Sequence, residues 1–234
     1  VERGHVIALT RGEDQITIEP GGPLELASRP RVDGRERVID LAAHTKALAA
    51  ISGPMGLAWL SIGLRPFGGR DDVPWMPKHR YEVMRAYMPT VGTRGLDMMH
   101  LTGSVQCAGD FTSEQNLVDK IRTATKISPF ISALVAASPF SNGKPNGYQT
   151  MRYEIWLDTD NERSGIWPEM VDEVGLTPGR YLDRALATRP MFIIRDGKYL
   201  ATANKPFAHF VENGFEGTTI TVADLLDHLT SFFP

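Results

Sequence analysis

The sequence predicts an α+β fold built on a mainly antiparallel sheet. Short segments of alternating apolar and polar residues occur in pairs around tight turns, and helical segments of unequal length separate the other strand candidates. Pairs around tight turns indicate antiparallel hairpins, whereas a regular strand–helix repeat would predict a parallel sheet. The chain has 234 residues, which suffice to bury a core. We expect one domain over residues 1–234.

The N-terminal elements are predicted to be three strands and a helix. Residues 6–10 and 15–19 flank a polar turn, and residues 24–26 resume the alternation after a Pro-Gly-Gly-Pro turn. Residues 38–52 then carry apolar side chains at helical spacing.

Two strand candidates frame the next helix. They are the apolar segment 57–64 and the clearly alternating segment 104–111. Between them, Pro77 can open a helix, and Pro89 ends it.

Two helices and the longest strand candidate follow. Thr112 and Gln115 form a capping box that starts the first helix, and Pro129 opens a second, very apolar one. Residues 148–158 alternate throughout, so Arg152 is expected on the polar face of a strand.

The C-terminal region predicts a hairpin between two helices. Thr177 caps a helix that begins with a proline, and residues 191–194 and 199–201 flank an Asp-Gly turn. A capping box at Thr221 starts a final helix over residues 222–231.

The composition excludes several classes of function. With 25 basic and 28 acidic residues, the net charge of −3 indicates neither a nucleic-acid partner nor an anionic membrane surface. Cys107 is the only cysteine, which excludes an intrachain disulfide and a Cys-rich zinc site. It also fits a reducing compartment, so we expect a cytoplasmic location. No apolar segment approaches the ~20 residues of a membrane span.

Polar side chains line one face of several strand candidates, whereas the sequence contains no standard phosphate-binding glycine loop, metalloprotease motif or nucleophile elbow. Two interpretations are open. The polar faces meet solvent, as in many antiparallel sheets. Alternatively, they cradle a charged substrate, with carboxylates binding Mg²⁺ and arginine clamping an anion. The residues concerned are Glu19, Glu25, Gln106, Asp110, Arg152 and Glu154.

Segments spread through nearly the whole chain carry a resemblance to a known family. They are residues 16–26 (ITIEPGGPLEL), 72–89 (DVPWMPKHRYEVMRAYMP), 92–102 (GTRGLDMMHLT), 104–110 (SVQCAGD), 137–147 (ASPFSNGKPNG), 152–165 (RYEIWLDTDNERSG) and 227–234 (DHLTSFFP). In this order, they resemble the plant and proteobacterial class of glutamate–cysteine ligases.

The resemblance implies a glutamine-synthetase-like antiparallel sheet that forms a saddle. It also implies an ATP-dependent ligase that requires Mg²⁺ and joins the side-chain carboxyl of glutamate to the amine of cysteine. This is the first step of glutathione synthesis, and it passes through an acyl phosphate. Such chemistry depends on charge neutralisation and positioning more than on a protein nucleophile.

The resemblance further implies a role for each matching residue. Glu19 and Glu25 match metal ligands, and Gln106 and Arg152 match catalytic positions on two strands. The positions expected to bind the amino acid substrates are Arg80, Arg85, Met98, Met99 and Trp156. The positions expected to bind the nucleotide are Lys144, Asn146 and Arg163. The methionines and Trp156 could instead be core residues, and the two helix arginines could be solvated.

Departures from the family pattern keep other functions open. Ala108 stands where the family has asparagine, and Gly103 replaces a cysteine, which leaves another amine acceptor as an alternative. Family members also extend beyond both ends of this chain. We therefore expect an incomplete catalytic domain that forms a homo-oligomer or needs a completing chain. A non-catalytic binding module is the further alternative. The expected partners are otherwise small-molecule substrates, with neither nucleic acid nor membrane.

Overall fold

The computed structural model describes residue 2 and residues 4–233, and it combines helices with small antiparallel sheets, consistent with the α+β class. Within that part of the chain, the sheets have three, two and two strands. The glutamine-synthetase-like saddle is therefore not confirmed. Val1, Arg3 and Pro234 lie outside the described residues.

The N-terminal sheet has the predicted strand order. The sheet contains strands β1 (Ala8–Arg11), β2 (Asp14–Ile18) and β3 (Leu24–Ala27). Strand β2 lies in the middle and pairs antiparallel with both of the others. Thr17 lies opposite Glu25 in the register between β2 and β3. The predicted hairpin and third strand are thus confirmed.

Helices form most of the remaining elements. They are α1 (Gly34–Ser52), α2 (His79–Tyr87), α3 (Gly95–Leu101), α4 (Glu114–Leu134), α5 (Met151–Leu157), α6 (Pro178–Ala187), α7 (Phe207–Asn213) and α8 (Val222–Leu229). Two short hairpins complete the list: β4 (Phe140–Ser141) with β5 (Lys144–Pro145), and β6 (Phe192–Arg195) with β7 (Lys198–Ala201). In the described residues, no helix combines the length and apolar character needed to cross a membrane.

The C-terminal elements confirm the local signals that predicted them. Asp196 and Gly197 adopt the left-handed backbone that a two-residue hairpin turn requires. The Thr177 side chain caps α6. At α8, Thr221 and Asp224 form the reciprocal capping box.

The strand predicted over residues 148–158 is wrong, because this segment contains helix α5. Ser138 stabilises the start of α5: its hydroxyl accepts from Arg152 N at 3.1 Å, and its carbonyl accepts from Met151 N at 3.4 Å. Backbone donors at a helix N-terminus need such external acceptors. The alternating pattern did not contain this information, since Ser138 lies in another segment.

The segments 57–64 and 104–111 are not strands either. Apart from the isolated bridge between Leu64 and Thr102, residues 57–64 and 104–111 form no ladder with any described segment. A strand needs a neighbour that pairs its backbone groups along its length. Within the described residues, segment 57–64 reaches distant backbone mainly through Gly63, which donates to Ala137 O and accepts from Gly103 N, and segment 104–111 has no backbone–backbone hydrogen bond. The expectation that Gln106 and Arg152 lie on two strands is therefore wrong.

Helix α4 is continuous, contrary to the expectation of two helices separated at Pro129. It begins after the cap Ser113 rather than at Thr112, and Pro129 lies inside it. Proline cannot donate to the carbonyl one turn earlier. The hydroxyl of Ser128 donates to that carbonyl, Thr125 O, at 2.8 Å, which makes the proline tolerable.

Three apolar clusters form the core. The first joins α2, α3 and β6 through Tyr81, Met88, Met99, Met191 and Phe192. The second surrounds α6 and the C-terminus, with Trp167, Met170, Leu176, Ala185 and Phe232. The third contains Ile193, Phe210 and Phe215. The first cluster supports the elements that carry the candidate site.

Candidate functional site

The turn between β2 and β3 brings two carboxylates together. Glu19 N donates to Pro23 O at 2.9 Å, and Gly22 N donates to Glu19 O at 2.8 Å, which closes the turn. Partial burial and the neighbouring Glu19 carboxyl raise the pKa of Glu25, whereas the Lys78 ammonium lowers it. Glu19 and Glu25, which we call the acidic pair, are therefore close to each other.

The turn is held against the end of α3 by a very close backbone contact. A Cβ atom on Gly21 would lie 2.0 Å from the carbonyl oxygen of His100. Met76 N also donates to Pro20 O at 3.3 Å. The acidic pair consequently has a fixed position relative to α3.

A tyrosine and a lysine from the start of α2 face the acidic pair. The buried Tyr81 hydroxyl donates to Glu19 Oε2 at 3.4 Å and accepts from Lys78 Nζ at 3.2 Å. Burial first, and then the Glu19 charge, raise the pKa of Tyr81, so the hydroxyl keeps its proton. Neither residue was predicted as part of the site, although the spacing of Lys78 and Tyr81 at a helix start was a usable signal.

Arg152 presents a guanidinium group that has no acidic partner in the part of the chain that the structure describes. It is half-buried, its Nε has no hydrogen-bond partner among the described residues, and its Cζ lies 5.3 Å from the ring centroid of Trp156. Burial lowers the pKa of Arg152. A buried cation without a counter-charge is costly, and an anionic ligand would relieve that cost.

A short stretch of chain connects Arg152 with the end of α3. A Cβ atom on Gly63 would lie 3.3 Å from Arg152 Cδ. Two residues later, Arg65 N donates to Leu101 O at 2.7 Å. The acidic pair and Arg152 therefore both adjoin elements packed on the C-terminal end of α3.

The two helix arginines rest on aromatic rings. Arg80 Cζ lies 5.6 Å from the Phe192 ring, and its buried Nε has no partner in the part of the chain described. Arg85 is exposed, with Cζ 4.6 Å from the Trp75 ring. Neither arginine forms an ion pair with a described residue, and substrate binding by either one remains a prediction.

The methionines lie in or against the core. Met99 is 4 % exposed and belongs to the first apolar cluster, and Met98 packs on the same cluster. Their positions agree with the alternative that they are core residues, and their contact with substrate remains a prediction.

The other predicted site residues are not brought to the acidic pair by any described contact. Gln106 and Lys144 are exposed. The side-chain amide of Asn146 stabilises the loop in which it lies, because it donates to Ser138 O at 3.0 Å and accepts from Tyr148 N at 3.0 Å.

Arg163 is buried in a hydrogen-bond network. Its Nε donates to Asp160 Oδ2 at 2.6 Å, its Nη1 to Ser231 Oγ at 3.0 Å, and its Nη2 to the Tyr87 hydroxyl at 2.7 Å and to Arg189 O. Every nitrogen of this guanidinium has a protein partner. A nucleotide contact by Arg163 would have to replace one of them.

The acidic pair suits an ion that takes few protein ligands. No group of three or more His, Cys, Asp or Glu suitable for a metal occurs among residue 2 and residues 4–233. Mg²⁺ is commonly held by one or two carboxylates, with waters and substrate phosphates completing its shell. Two adjacent carboxylates fit Mg²⁺ in that manner, and they do not fit a metal held by protein ligands alone.

A groove elsewhere on the molecule contains none of the predicted site residues. Its volume is about 420 Å³, and it lies along α6. Its charged lining is already paired in part, since Arg184 Nη2 donates to both carboxylate oxygens of Glu169 at 2.7 Å. It offers no link to the acidic pair or to Arg152.

Comparison with known proteins identifies similar sequences over the whole chain. The family model described as glutamate-cysteine ligase family 2 matches residues 3–234. Glutamate–cysteine ligase B of Oryza sativa subsp. japonica is 40 % identical over 237 aligned positions, covering 100 % of this chain and 48 % of the relative. The Nicotiana tabacum and Arabidopsis thaliana glutamate–cysteine ligases are 39 % and 38 % identical, each with 100 % of this chain and 45 % of the relative covered.

Two facts follow from these relatives. The chain spans about half the length of the curated relatives that it matches. All three relatives are named chloroplastic. Their names contradict the cytoplasmic location expected from the single cysteine, since a reducing environment is not specific to the cytosol.

Proposed function

The chain belongs to glutamate-cysteine ligase family 2, and from this membership we propose that it carries part of the active site of an ATP-dependent ligase. The ligase joins the side-chain carboxyl of glutamate to the amine of cysteine, the first step of glutathione synthesis. The names of the relatives support cysteine as the acceptor. They also support a plastid location.

The observation that carries this proposal is the half-buried guanidinium of Arg152, which has no acidic partner among the described residues. In the proposed reaction, ATP phosphorylates the glutamate carboxylate, and the amine of cysteine displaces the phosphate from the acyl phosphate. Both steps bring negatively charged groups into the site. A planar guanidinium can bind a carboxylate or phosphate through two parallel hydrogen bonds.

The acidic pair would complement Arg152 by binding the metal ion. Glu19 and Glu25 would hold Mg²⁺, which neutralises phosphate charge when it is bound. Burial raises the pKa of Glu25 most, and the neighbouring Glu19 carboxyl raises it further. A divalent cation would remove the like-charge part of this effect. Roles for Gln106, Lys144 and Asn146 in substrate or nucleotide binding are further parts of the proposal.

The test is substitution of Arg152 in the full-length protein. We expect Arg152→Ala to lower glutamate- and cysteine-dependent ADP release by at least about 100-fold. Removal of one hydrogen-bond donor that stabilises the charge of a transition state commonly has an effect of this size. Arg152→Lys should recover little, because an ammonium is a point charge without the planar fork. Arg31→Ala is the matched control, since Arg31 pairs with Asp40 of α1, outside the site. Wild-type kinetics in Arg152→Ala would refute the proposed role.

A further inference from the structure

The Tyr81 hydroxyl lies between a lysine and the acidic pair. Its oxygen accepts from Lys78 Nζ at 3.2 Å, and its proton is donated to Glu19 Oε2 at 3.4 Å. An ammonium group only donates hydrogen bonds, and an ionised carboxylate only accepts them. The two neighbours therefore fix the direction of the hydroxyl, from Lys78 through Tyr81 to Glu19.

The ring of Tyr81 gives that hydroxyl a fixed place. Tyr81 is 7 % exposed and belongs to the first apolar cluster, where it is packed with Met88 and Phe192. Glu19, by contrast, is half-buried and follows the last residue of β2. A side chain at such a position keeps rotamer freedom unless partners restrict it.

Both oxygens of Glu19 have a hydroxyl partner. Oε2 accepts from Tyr81, and Oε1 accepts from the Thr17 hydroxyl at 3.4 Å. Both distances are long for a hydrogen bond between oxygens. Such contacts commonly tighten when the ligand of a site binds.

We infer that Tyr81 is a positioning residue that holds Glu19 ready for a divalent cation. This inference rests on the proposed function, because it takes the acidic pair as the Mg²⁺ ligands. Tyr81 does not contact the ion; it restricts the carboxylate that does. Hydrogen-bond partners of metal ligands typically alter metal affinity by about 10- to 100-fold when they are removed.

The experiment uses calorimetry to compare the binding of Mn²⁺ to the full-length protein and to its variants. Mn²⁺ serves as the probe because it accepts the same oxygen ligands as Mg²⁺. We expect Tyr81→Phe to raise the Kd for Mn²⁺ about tenfold. The Mg²⁺ concentration for half-maximal ligation should rise in parallel, while kcat at saturating Mg²⁺ changes little.

Tyr87→Phe is the matched control, because it removes a second tyrosine hydroxyl from the same helix. That hydroxyl donates to Asp160 Oδ2 at 3.1 Å and accepts from Arg163, apart from the acidic pair. We expect Tyr87→Phe to lower the melting temperature and to bind Mn²⁺ like the wild type. An equal loss of affinity in both tyrosine variants would assign the effect to packing and overturn the inference.

Glu19→Gln separates failure of this inference from failure of the proposed function. If Glu19→Gln weakens Mn²⁺ binding and Tyr81→Phe does not, the positioning role is overturned and the metal assignment stands. If Glu19→Gln binds Mn²⁺ like the wild type, the metal assignment fails, and the role of Tyr81 fails with it.

Discussion

Gly21 brings the turn that carries the acidic pair into close backbone contact with the end of α3. We expect Gly21→Ala to destabilise the protein by about 1–3 kcal/mol, since overpacked sites commonly cost that much. The added methyl would meet the His100 carbonyl at 2.0 Å, so the turn must move away from α3. Urea denaturation measures the change in the free energy of unfolding.

Gly34→Ala is the control for the intrinsic effect of the same substitution. A Cβ at Gly34 would meet nothing within 4 Å, and Gly34 is the first residue of α1. Alanine is the better helix former, so this variant should be neutral or slightly stabilising. Equal stability of the two variants would contradict the close contact at Gly21.

His228 is buried as a neutral imidazole, which predicts a pH dependence of stability. Burial, reinforced by the nearby Arg163, lowers its pKa to about 4 from an ordinary 6.5, and Nε2 lies 2.9 Å from Ala185 O. The unfolded chain therefore takes up the proton first as the pH falls. The stabilising contribution is complete above pH 6.5 and is lost between pH 6.5 and 4.

The total loss from this one group should be about 3 kcal/mol, at 1.36 kcal/mol per pKa unit. Urea denaturation of the wild type and His228→Phe at pH 7, 5.5 and 4.5 isolates it. We expect a smaller decrease in the variant, because phenylalanine has no proton to take up. Parallel pH profiles for the two proteins would show that His228 does not contribute.

At the scale of elements, helix α4 contains a proline that is not required for helix formation. Pro129 is exposed and lies inside the helix. We expect Pro129→Ala to stabilise the protein by about 1–3 kcal/mol, because alanine restores a backbone donor and has a much higher helix propensity. A rise in the melting temperature measures the effect.

Pro178→Ala should act in the opposite direction. Pro178 occupies the first position of α6, where its missing N–H costs nothing and its fixed φ suits the helix. A lower melting temperature for Pro129→Ala than for the wild type would mean that Pro129 itself contributes to packing.

The elements that the sequence predicted correctly are those specified by their own residues. Three examples are the Asp196-Gly197 turn, the Thr221 cap and the Pro-Gly-Gly turn before Glu25. In each of them, the residues of the turn or cap specify its backbone conformation or its hydrogen bonds. Residues 148–158 do not: Arg152 and Trp156 share a face in a strand and also in a helix, since they are four positions apart. Ser138, from a distant segment, supplies acceptors at the start of the helix.

The same contrast between local and distant contributions applies to the candidate site. Pairing of β2 with β3 was predictable locally, and with it the closeness of Glu19 and Glu25. Arg152 was identified by resemblance, although its element was not. Tyr81 reaches Glu19 across 62 positions of sequence. No pattern within either segment specifies that contact, which depends on how α2 packs on the core.

On the scale of the whole molecule, large apolar side chains remain exposed on its longest helices. Examples are Val38, Ile39 and Ile51 of α1, and Phe130 and Leu134 of α4. Isolated helices are marginal in water, and most helical stability in proteins comes from packing of an apolar face. The helical pattern of α1 was readable from the sequence, whereas the exposure of its apolar side chains was not.

The network around Arg163 constrains the order in which the chain can fold. Arg163 bonds to Tyr87, 76 positions before it, and to Ser231, 68 positions after it. During synthesis the N-terminal part emerges first, so the guanidinium has no Ser231 to bind until almost all of these residues have been made. Contacts of such long range close late and slow folding. Until then the Nη1 donor of Arg163 must bond to water, whereas Asp160 and Tyr87 are already available to the other nitrogens.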